Sequence, residues 1–389
     1  MGQGVITTLA GLLHAQGCQV RLVMPEVPIE GNQPPFEGTN LRAAIRHYAA
    51  NTVPGAVVVA AKESHSDDLV FILGDSQWDG AARHAWRMAP DLWSGRLVPE
   101  SARIAPVVGD YGLGAGAAAV AAAVEPFKCA LRSVASDAGL SVPIPELLQE
   151  TPWATIQLGE DIGPPTEPEL GTVDFVSGGA ITNAALHALL RIRNLRGQIR
   201  IIEPENVELS NLNRYVLCRG SDVGASKAAV LASFGSRGLA IEPVPTKLER
   251  STLPSVSPLG DLVIVGADSV PARWLAQAQW PEHLIVGATA EFMTMTSSHG
   301  YPGPCAGCAH PLDDDVNVTI PTVSFVSYLA GLFVATRALR HAMKPGDLIE
   351  HLVSHLWPLR LDLAESTWWH PLQADSRCPV KCPASKNAL

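Results

Sequence analysis

Charge and aromatic residues are both scarce in this chain. Of 389 residues, 17% are Asp, Glu, Lys or Arg, and 6% are Phe, Trp or Tyr. Lys and Arg number 28 against 38 acids, a formal charge of -10. So small and unclustered a basic complement argues against a surface that neutralises nucleic-acid phosphates, and it leaves room for a basic protein partner. No uninterrupted apolar run reaches the roughly 18 residues expected of a membrane span, and no basic region precedes an apolar stretch at the front. No membrane association and a cytoplasmic location are therefore expected. With 47% hydrophobic residues, the chain can bury a large core and should divide into about two domains. Cysteines number 7, and four of them form two close pairs, Cys305 with Cys308 and Cys378 with Cys382. Such pairs suit metal ligation in a reducing compartment better than a disulfide framework.

What the chain does contain is concentrated in residues 203–227, EPENVELSNLNRYVLCRGSDVGASK. An apolar strand at 174–177, a turn at Gly178 and Gly179, a helix over about 181–195 and a second strand at 198–202 precede it. Together they read as one nucleotide-binding βαβ unit. Glu203 ends the second strand, where a carboxylate can accept hydrogen bonds from ribose hydroxyls. Four thiolates at 305, 308, 378 and 382 suit tetrahedral zinc, and Pro and Gly around both pairs supply the turns a metal knuckle needs.

The run Glu203, Glu205, Val207, Glu208, Ser210, Asn211, Leu212, Arg214, followed thirteen positions later by Lys227, resembles the signature of the ThiF/MoeB/HesA superfamily of adenylyltransferases, which includes ubiquitin-activating enzymes. A second stretch, residues 261–273 (DLVIVGADSVPAR), resembles the family's apolar strand ending in a magnesium-binding Asp, with an Arg five residues later. That places Asp268 and Arg273. The resemblance implies that Asn211, Arg214 and Lys227 contact the triphosphate of ATP, that Glu203 binds ribose, and that Glu205 assists metal or phosphate positioning. It also implies that Asp268 holds Mg2+ and that Cys305, Cys308, Cys378 and Cys382 hold a structural Zn2+. The turn departs from the family's Gly-x-Gly-Gly-x-Gly, because Val176 and Ile181 stand at the outer glycine positions, which should alter how helix and strand pack. Many relatives carry a catalytic cysteine beyond the zinc knuckle, yet none lies between Cys308 and Cys378. Cys218, near the nucleotide loop, is the remaining thioester candidate beside a plain core role; Cys18 and Cys129 read as core residues.

Two diverged copies of one unit are visible in order along the chain. Gly4-Val-Ile-Thr7 recurs as Gly179-Ala-Ile-Thr182, Gln19-Val-Arg-Leu-Val23 as Gln198-Ile-Arg-Ile-Ile202, and Pro25-Glu26 as Pro204-Glu205. Residues 68–76 likewise parallel 261–269. The expected fold is α/β, with two tandem Rossmann-like halves forming a pseudo-dimer. Residues 1–136 would be an inactive half, which begins at its glycine turn without a first strand and has Met24 opposite Glu203. Residues 137–172 would be a Pro-rich surface connector and 173–345 the active adenylation domain. Residues 346–389 would form a strand-rich tail, including an alternation at 359–363, that completes the zinc site.

The function implied is ATP-dependent adenylation of the C-terminal carboxylate of a ubiquitin-like protein with a C-terminal Gly, which would thread beside the crossover at about 289–322. A conjugating enzyme and a deconjugating peptidase are the expected companions in a bacterial pathway. A sulfur-carrier or peptide adenylyltransferase without a thioester, and a non-catalytic scaffold for a ubiquitin-like protein, stay open. A nicotinamide oxidoreductase fits poorly, since its fingerprint lacks the Ser-Asn-Leu-x-Arg run.

Overall fold

The computed structural model describes residues 1–389 apart from 53–57, 61–64, 67, 110–111, 140–147, 160–162, 164–165, 313–321, 344–350, 363–366 and 388–389. The first part of the chain forms α1 (Gly2–Ala15), β1 (Val20–Leu22), α2 (Leu41–Ala50), β2 (Val58–Ala60), β3 (Leu69–Leu73), β4 (His84–Pro90), β5 (Ser94–Pro99), α3 (Leu113–Asp137) and β6 (Ala154–Gln157). Then follow β7 (Glu169–Val176), α4 (Ala180–Leu189), β8 (Arg196–Ile202), α5 (Lys227–Ala232), β9 (Leu239–Val244), α6 (Leu253–Val256), β10 (Leu262–Val265) and α7 (Val270–Gln277). The chain continues through β11 (His283–Ala290), β12 (Met293–His299), α8 (Ala306–Ala309), α9 (Ser324–Met343), β13 (Leu352–Leu356) and β14 (Thr367–Pro371).

The larger sheet has eight strands in the order β14-β13-β12-β11-β10-β7-β8-β9. Its middle is parallel, and β12, β13 and β14 add antiparallel strands at one end. Every residue of β10, Leu-Val-Ile-Val, is buried, as a central strand covered on both faces requires. The strand order turns back at β7, which lies between β10 and β8. In open α/β sheets, the carboxyl ends on either side of such a point form the crevice that takes ligands.

The first part carries two smaller sheets, β1-β2 and β3-β4-β5-β6. The pairings of β3 to β6 run parallel, antiparallel, antiparallel, the same sequence of directions as β10 to β13, and β1-β2 is parallel like β8-β9. In the larger sheet β7 joins the two sets; among the described residues no strand pairs with both β1 and β3. A local likeness is sharper still. Pro28 bridges Asn40, and the Leu41 N–H donates to Val27 O at 3.0 Å; in the second part Asn206 bridges Ser226, and the Lys227 N–H donates to Glu205 O at 3.0 Å. By this register Leu41 stands where Lys227 stands, and Val27 rather than Glu26 stands opposite Glu205.

Helices α1 and α3 pack together, α4 and α9 pack together, and α3 also meets α9, so one apolar core runs through both parts. Close crossings depend on missing side chains. A β-carbon on Gly331 would lie 2.4 Å from Ala184 Cβ, and one on Gly95 would lie 2.0 Å from Ala118 N. By length and composition α3 could cross a membrane, a segment the uninterrupted-run criterion passes over because Glu125, Lys128 and Arg132 interrupt it. Most of it is buried inside the protein: Lys128 and Glu125 pair at 2.7 Å with 0% and 1% of their side chains exposed, and Lys128 also reaches Thr151 Oγ1 at 2.5 Å.

Two expectations require correction. The proline-rich stretch 137–172 is more than a surface connector, because β6 lies within it, pairs with β5 and buries Ala154 and Ile156. Residues 359–362 do not form a strand; Pro358–Arg360 is a 3-10 turn, since the proline at its first position favours that start, and the tail's strands lie on either side of it.

Candidate functional site

The carboxyl ends of β7, β8 and β10 meet at the switch point, and the sequence places a polar group at each. After β7, Ser177 takes φ 90°, an uncommon conformation for a residue with a side chain. Its Oγ accepts the Gly179 N–H at 3.1 Å and reaches Glu203 Oε2 at 3.4 Å. Glu203, buried at the end of β8, accepts the Gly178 N–H at 2.6 Å and the Glu205 N–H at 2.9 Å. Its carboxylate therefore closes the glycine turn from within; Oε2 takes both Gly178 and Ser177, while Oε1 keeps a further lone pair for a ligand hydroxyl. No side chain fits at Gly178, whose β-carbon would lie 2.9 Å from Glu203 Cγ and 3.2 Å from Lys227 Cβ.

The outer glycine that Ile181 replaces has a counterpart across the interface. Ile181 is buried at the start of α4, and β-carbons added at Gly287 and Gly266 would lie 2.9 Å and 3.4 Å from its side chain. Glycines on the facing strand and turn leave room for the isoleucine, so helix and sheet approach closely there.

Beyond β8, a one-turn 3-10 helix (Leu209–Asn211) is closed by a reciprocal cap in which the Glu208 N–H donates to Asn211 Oδ1 at 2.9 Å. This cap holds Asn211 buried. Arg214 follows, half-buried, donating to Ser210 O at 3.0 Å and Asn213 Oδ1 at 2.7 Å. Lys227 opens α5 behind the Ser226 cap and pairs with Glu205 at 2.6 Å. Burial pulls the Lys227 ammonium down, but the Glu205 hydrogen bond, with Tyr215 and Glu203, outweighs it and leaves the pKa raised. Lys227 stays a cation.

Asp268 is exposed beyond the end of β10, just before Ser269, which caps α7 by accepting the Ala272 N–H. Arg273, on the buried face of α7, donates to Ala267 O at 3.1 Å and so braces the loop that presents Asp268. It also meets His310 Nε2 at 3.2 Å.

Cys218 is 1% exposed, packed with Val207, Leu212 and Tyr215, and burial pushes its thiol up to about 12. Cys18 and Cys129 are half-buried, and burial pushes Cys18 up to about 11. Front-half residues that the sequence did not single out hold the segment around Cys218. The Tyr48 hydroxyl reaches Val216 O and Cys218 O at 3.4 and 3.5 Å, and Gly220 donates to Asn51 O at 2.7 Å. Arg219 also pairs with Glu37 at 2.7 Å. Nothing local in the sequence links these residues; only chain folding joins them. Part of the expected crossover at 289–322, residues 313–321, lies outside the described residues.

The four remaining cysteines come together. All are buried, and their sulfurs lie within 4.8 Å of one another, with Cys305–Cys378 and Cys308–Cys382 each at 3.4 Å. A tetrahedral zinc with bonds of about 2.3 Å would set sulfurs about 3.8 Å apart, so the donor set fits that ion. The cradle is tight: a β-carbon on Gly307 would lie 2.8 Å from Cys378 Sγ. The Ser385 N–H donates to Cys382 Sγ at 3.4 Å, the sort of outer hydrogen bond that thiolate ligands receive.

Residues 174–380, over half of the chain, match the ThiF family model, and the chain belongs to the ThiF family. A SAMP-activating enzyme E1 of Haloferax volcanii is 26% identical over 236 residues, covering 57% of this chain and 84% of that protein. A sulfur carrier protein adenylyltransferase of Thermus thermophilus is 28% identical over 204 residues, covering 47% of this chain and 73% of that protein. A relative from Sinorhizobium fredii, the uncharacterized protein y4jF, is 34% identical over 134 residues, 34% of this chain, and the chain spans only 26% of its length. Among solved structures, Escherichia coli MccB with AMPCPP and MccA aligns at 16% identity with a TM-score of 0.45, over 55% of this chain and 66% of that one.

Proposed function

We propose that this protein is an ATP-dependent adenylyltransferase acting on the C-terminal carboxylate of a ubiquitin-like protein, as the activating enzyme of a bacterial conjugation pathway. The observation that carries the reading is the convergence at one sheet switch point of the glycine turn, Glu203, the capped Asn211–Arg214 segment and Lys227, with exposed Asp268 at the neighbouring strand end. In this reaction a carboxylate oxygen attacks the α-phosphorus of ATP, the bond to the β-phosphate oxygen breaks, and pyrophosphate leaves. Barrier lowering comes from cations fixed where charge develops on the leaving group. Arg214 and Lys227 are the fixed cations, Asn211 donates to phosphate oxygens, and Glu203 takes the ribose. Asp268 would hold magnesium, which when bound supplies further neutralisation of the phosphates. Lys227 must exchange Glu205 for phosphate as ATP arrives, so Glu205 keeps the ammonium placed and charged in the meantime.

The tandem-halves reading belongs to the same proposal. It is supported by the repeated strand directions and by the paired bridges that set Leu41 opposite Lys227. A leucine cannot bind triphosphate, so only the second half would turn over, and the first would brace the segment after Arg214. Zinc on the four cysteines would tie the tail to α8 and has no part in the chemistry.

One observation favours a second version, transfer without a thioester as in sulfur-carrier or peptide activation. Cys218 is buried and its thiol raised, which is unfit for attack without rearrangement. ATP–pyrophosphate exchange with the ubiquitin-like protein encoded nearest this gene, beside Asp268→Ala and Lys227→Met, tests the main reading. Exchange that falls at least 100-fold in both variants supports it. No exchange by the unaltered protein, with the partner still bound, would favour a scaffold.

A further inference from the structure

We infer that Tyr215 is a positioning residue for the triphosphate, its ring a shared platform for the cations of Arg214 and Lys227 beside the glycine turn. The inference rests on the adenylation reading above and concerns a residue outside the charged and glycine positions already named.

The Arg214 guanidinium carbon and the Lys227 ammonium each lie 5.6 Å from the centre of the Tyr215 ring. Both are within the roughly 6 Å over which a cation is attracted to an aromatic face. The ring is 5% exposed and seated on Val207, Leu212 and Cys218, so it cannot drift with either cation. Its backbone N–H donates to Asn211 O at 3.0 Å. The same chain turn therefore sets Asn211, Arg214 and the platform together. A β-carbon on Gly179 would lie 3.8 Å from the phenol oxygen, so the hydroxyl end of the ring borders the turn that opens α4. Burial raises the phenol's pKa against the charges of Lys227 and Arg214 and a hydrogen bond with Lys227, so it stays neutral, and the Tyr215→Phe variant below separates that hydroxyl contact from the ring.

Two like charges crowded at one site repel until an anion arrives. Before then Lys227 is offset by Glu205, and Arg214 is held by Ser210 and Asn213. Lys227 would exchange Glu205 for phosphate oxygens when ATP binds, whereas Arg214 meets Ser210 and Asn213 through Nη1 and has further N–H groups to turn toward the phosphates. The ring is a contact that both cations can keep while phosphate arrives, so it limits where they go. An aliphatic side chain would keep the site apolar without attracting either cation, and the adenosine titration registers any loss of packing.

The test is calorimetric titration of the full chain with ATP and, separately, adenosine, comparing unaltered protein with Tyr215→Leu, Tyr215→Phe and Lys227→Met. The expected result is that Tyr215→Leu weakens ATP about tenfold or more and leaves adenosine within about twofold, while Tyr215→Phe, which keeps ring and packing, stays within about threefold for ATP. Equal losses for ATP and adenosine in Tyr215→Leu would reveal a merely structural role and overturn the inference. A Tyr215→Phe defect as large as tenfold would assign the effect to the hydroxyl and also overturn it. If Tyr215→Leu binds ATP normally while Lys227→Met does not, the platform falls and the adenylation reading stands. If the unaltered protein binds no ATP, both fall.

Discussion

Replacing Cys378 by serine should loosen the tail and lower the melting temperature by about 5 °C. Cys305 and Cys378 lie 73 positions apart, and their sulfurs are 3.4 Å apart in a buried cluster with Cys308 and Cys382. If a zinc joins them, it closes a loop that the unfolded chain would otherwise leave open. In the chain-entropy account a cross-link of that span is worth about 4 kcal/mol. At about 2.1 cal/mol/K of unfolding entropy per residue, a chain of 389 residues unfolding as one core shifts by about 1.2 °C per kcal/mol, which gives the figure above. Hydrogen bonding with Cys305 is the largest cause that pulls the Cys308 thiol down, and the same contact pushes the Cys305 thiol up. The assay pairs elemental analysis with thermal melts: one zinc per unaltered chain, a melt that falls on adding 1,10-phenanthroline and recovers with zinc, and a Cys378→Ser variant that melts low and ignores the chelator. Protein that contains no zinc, or a Cys378→Ser variant melting within about 2 °C of the unaltered chain, would refute the argument.

Lys128→Met strands the buried Glu125 carboxylate and should cost about 3–5 kcal/mol, whereas adding Glu125→Leu should recover most of it, as thermal melts of the single and double variants would reveal. Cys218, with its thiol near 12, should be almost wholly un-ionised at pH 8, a thiolate fraction of roughly one in ten thousand; iodoacetamide should modify it only after unfolding, as peptide mapping can show. Stability should fall on acidification. Burial holds His14 at about 4 and His283 at about 3, and among the described residues neither His283 ring nitrogen has a hydrogen-bond partner. The unfolded chain therefore binds protons first, so stability is lost as pH falls from about 6.5 toward these values, by about 2 kcal/mol per ring at pH 5. His283→Leu should flatten that decline in melts taken from pH 7 to pH 5.

Much of the site was legible in residue order because its chemistry is local. Glu203, Asn211, Arg214 and Lys227 lie within 25 consecutive residues, and their strand, cap and helix starts follow from short-range rules of turn and capping chemistry. The same holds for the apolar run that ends near Asp268. The four cysteines announced themselves by spacing alone, although nothing in the sequence says that positions 70 apart should meet.

What the sequence could not give depends on which surfaces pack together. Proline frequency made residues 137–172 read as a connector, but Ala154 and Ile156 are buried because β5 had an unpaired edge to offer. The alternation at 359–363 matched a strand, yet behind a proline at 358 the described residues of that stretch open with a 3-10 turn that ends at Arg360. Ile181 in place of a glycine signalled altered packing, and only the tertiary structure shows the answer, glycines on the facing strand and turn at 287 and 266. Tyr48, Asn51 and Glu37 reach the segment after Arg214 from more than 150 residues away, a relation that no local pattern encodes. By itself the sequence determined the chemical inventory and the βαβ frame, through short-range backbone and charge rules. Which carboxylate closes the turn, which cysteine is sealed from solvent and which ring two cations approach were decided by packing, because those contacts exist only once the chain has folded around its core.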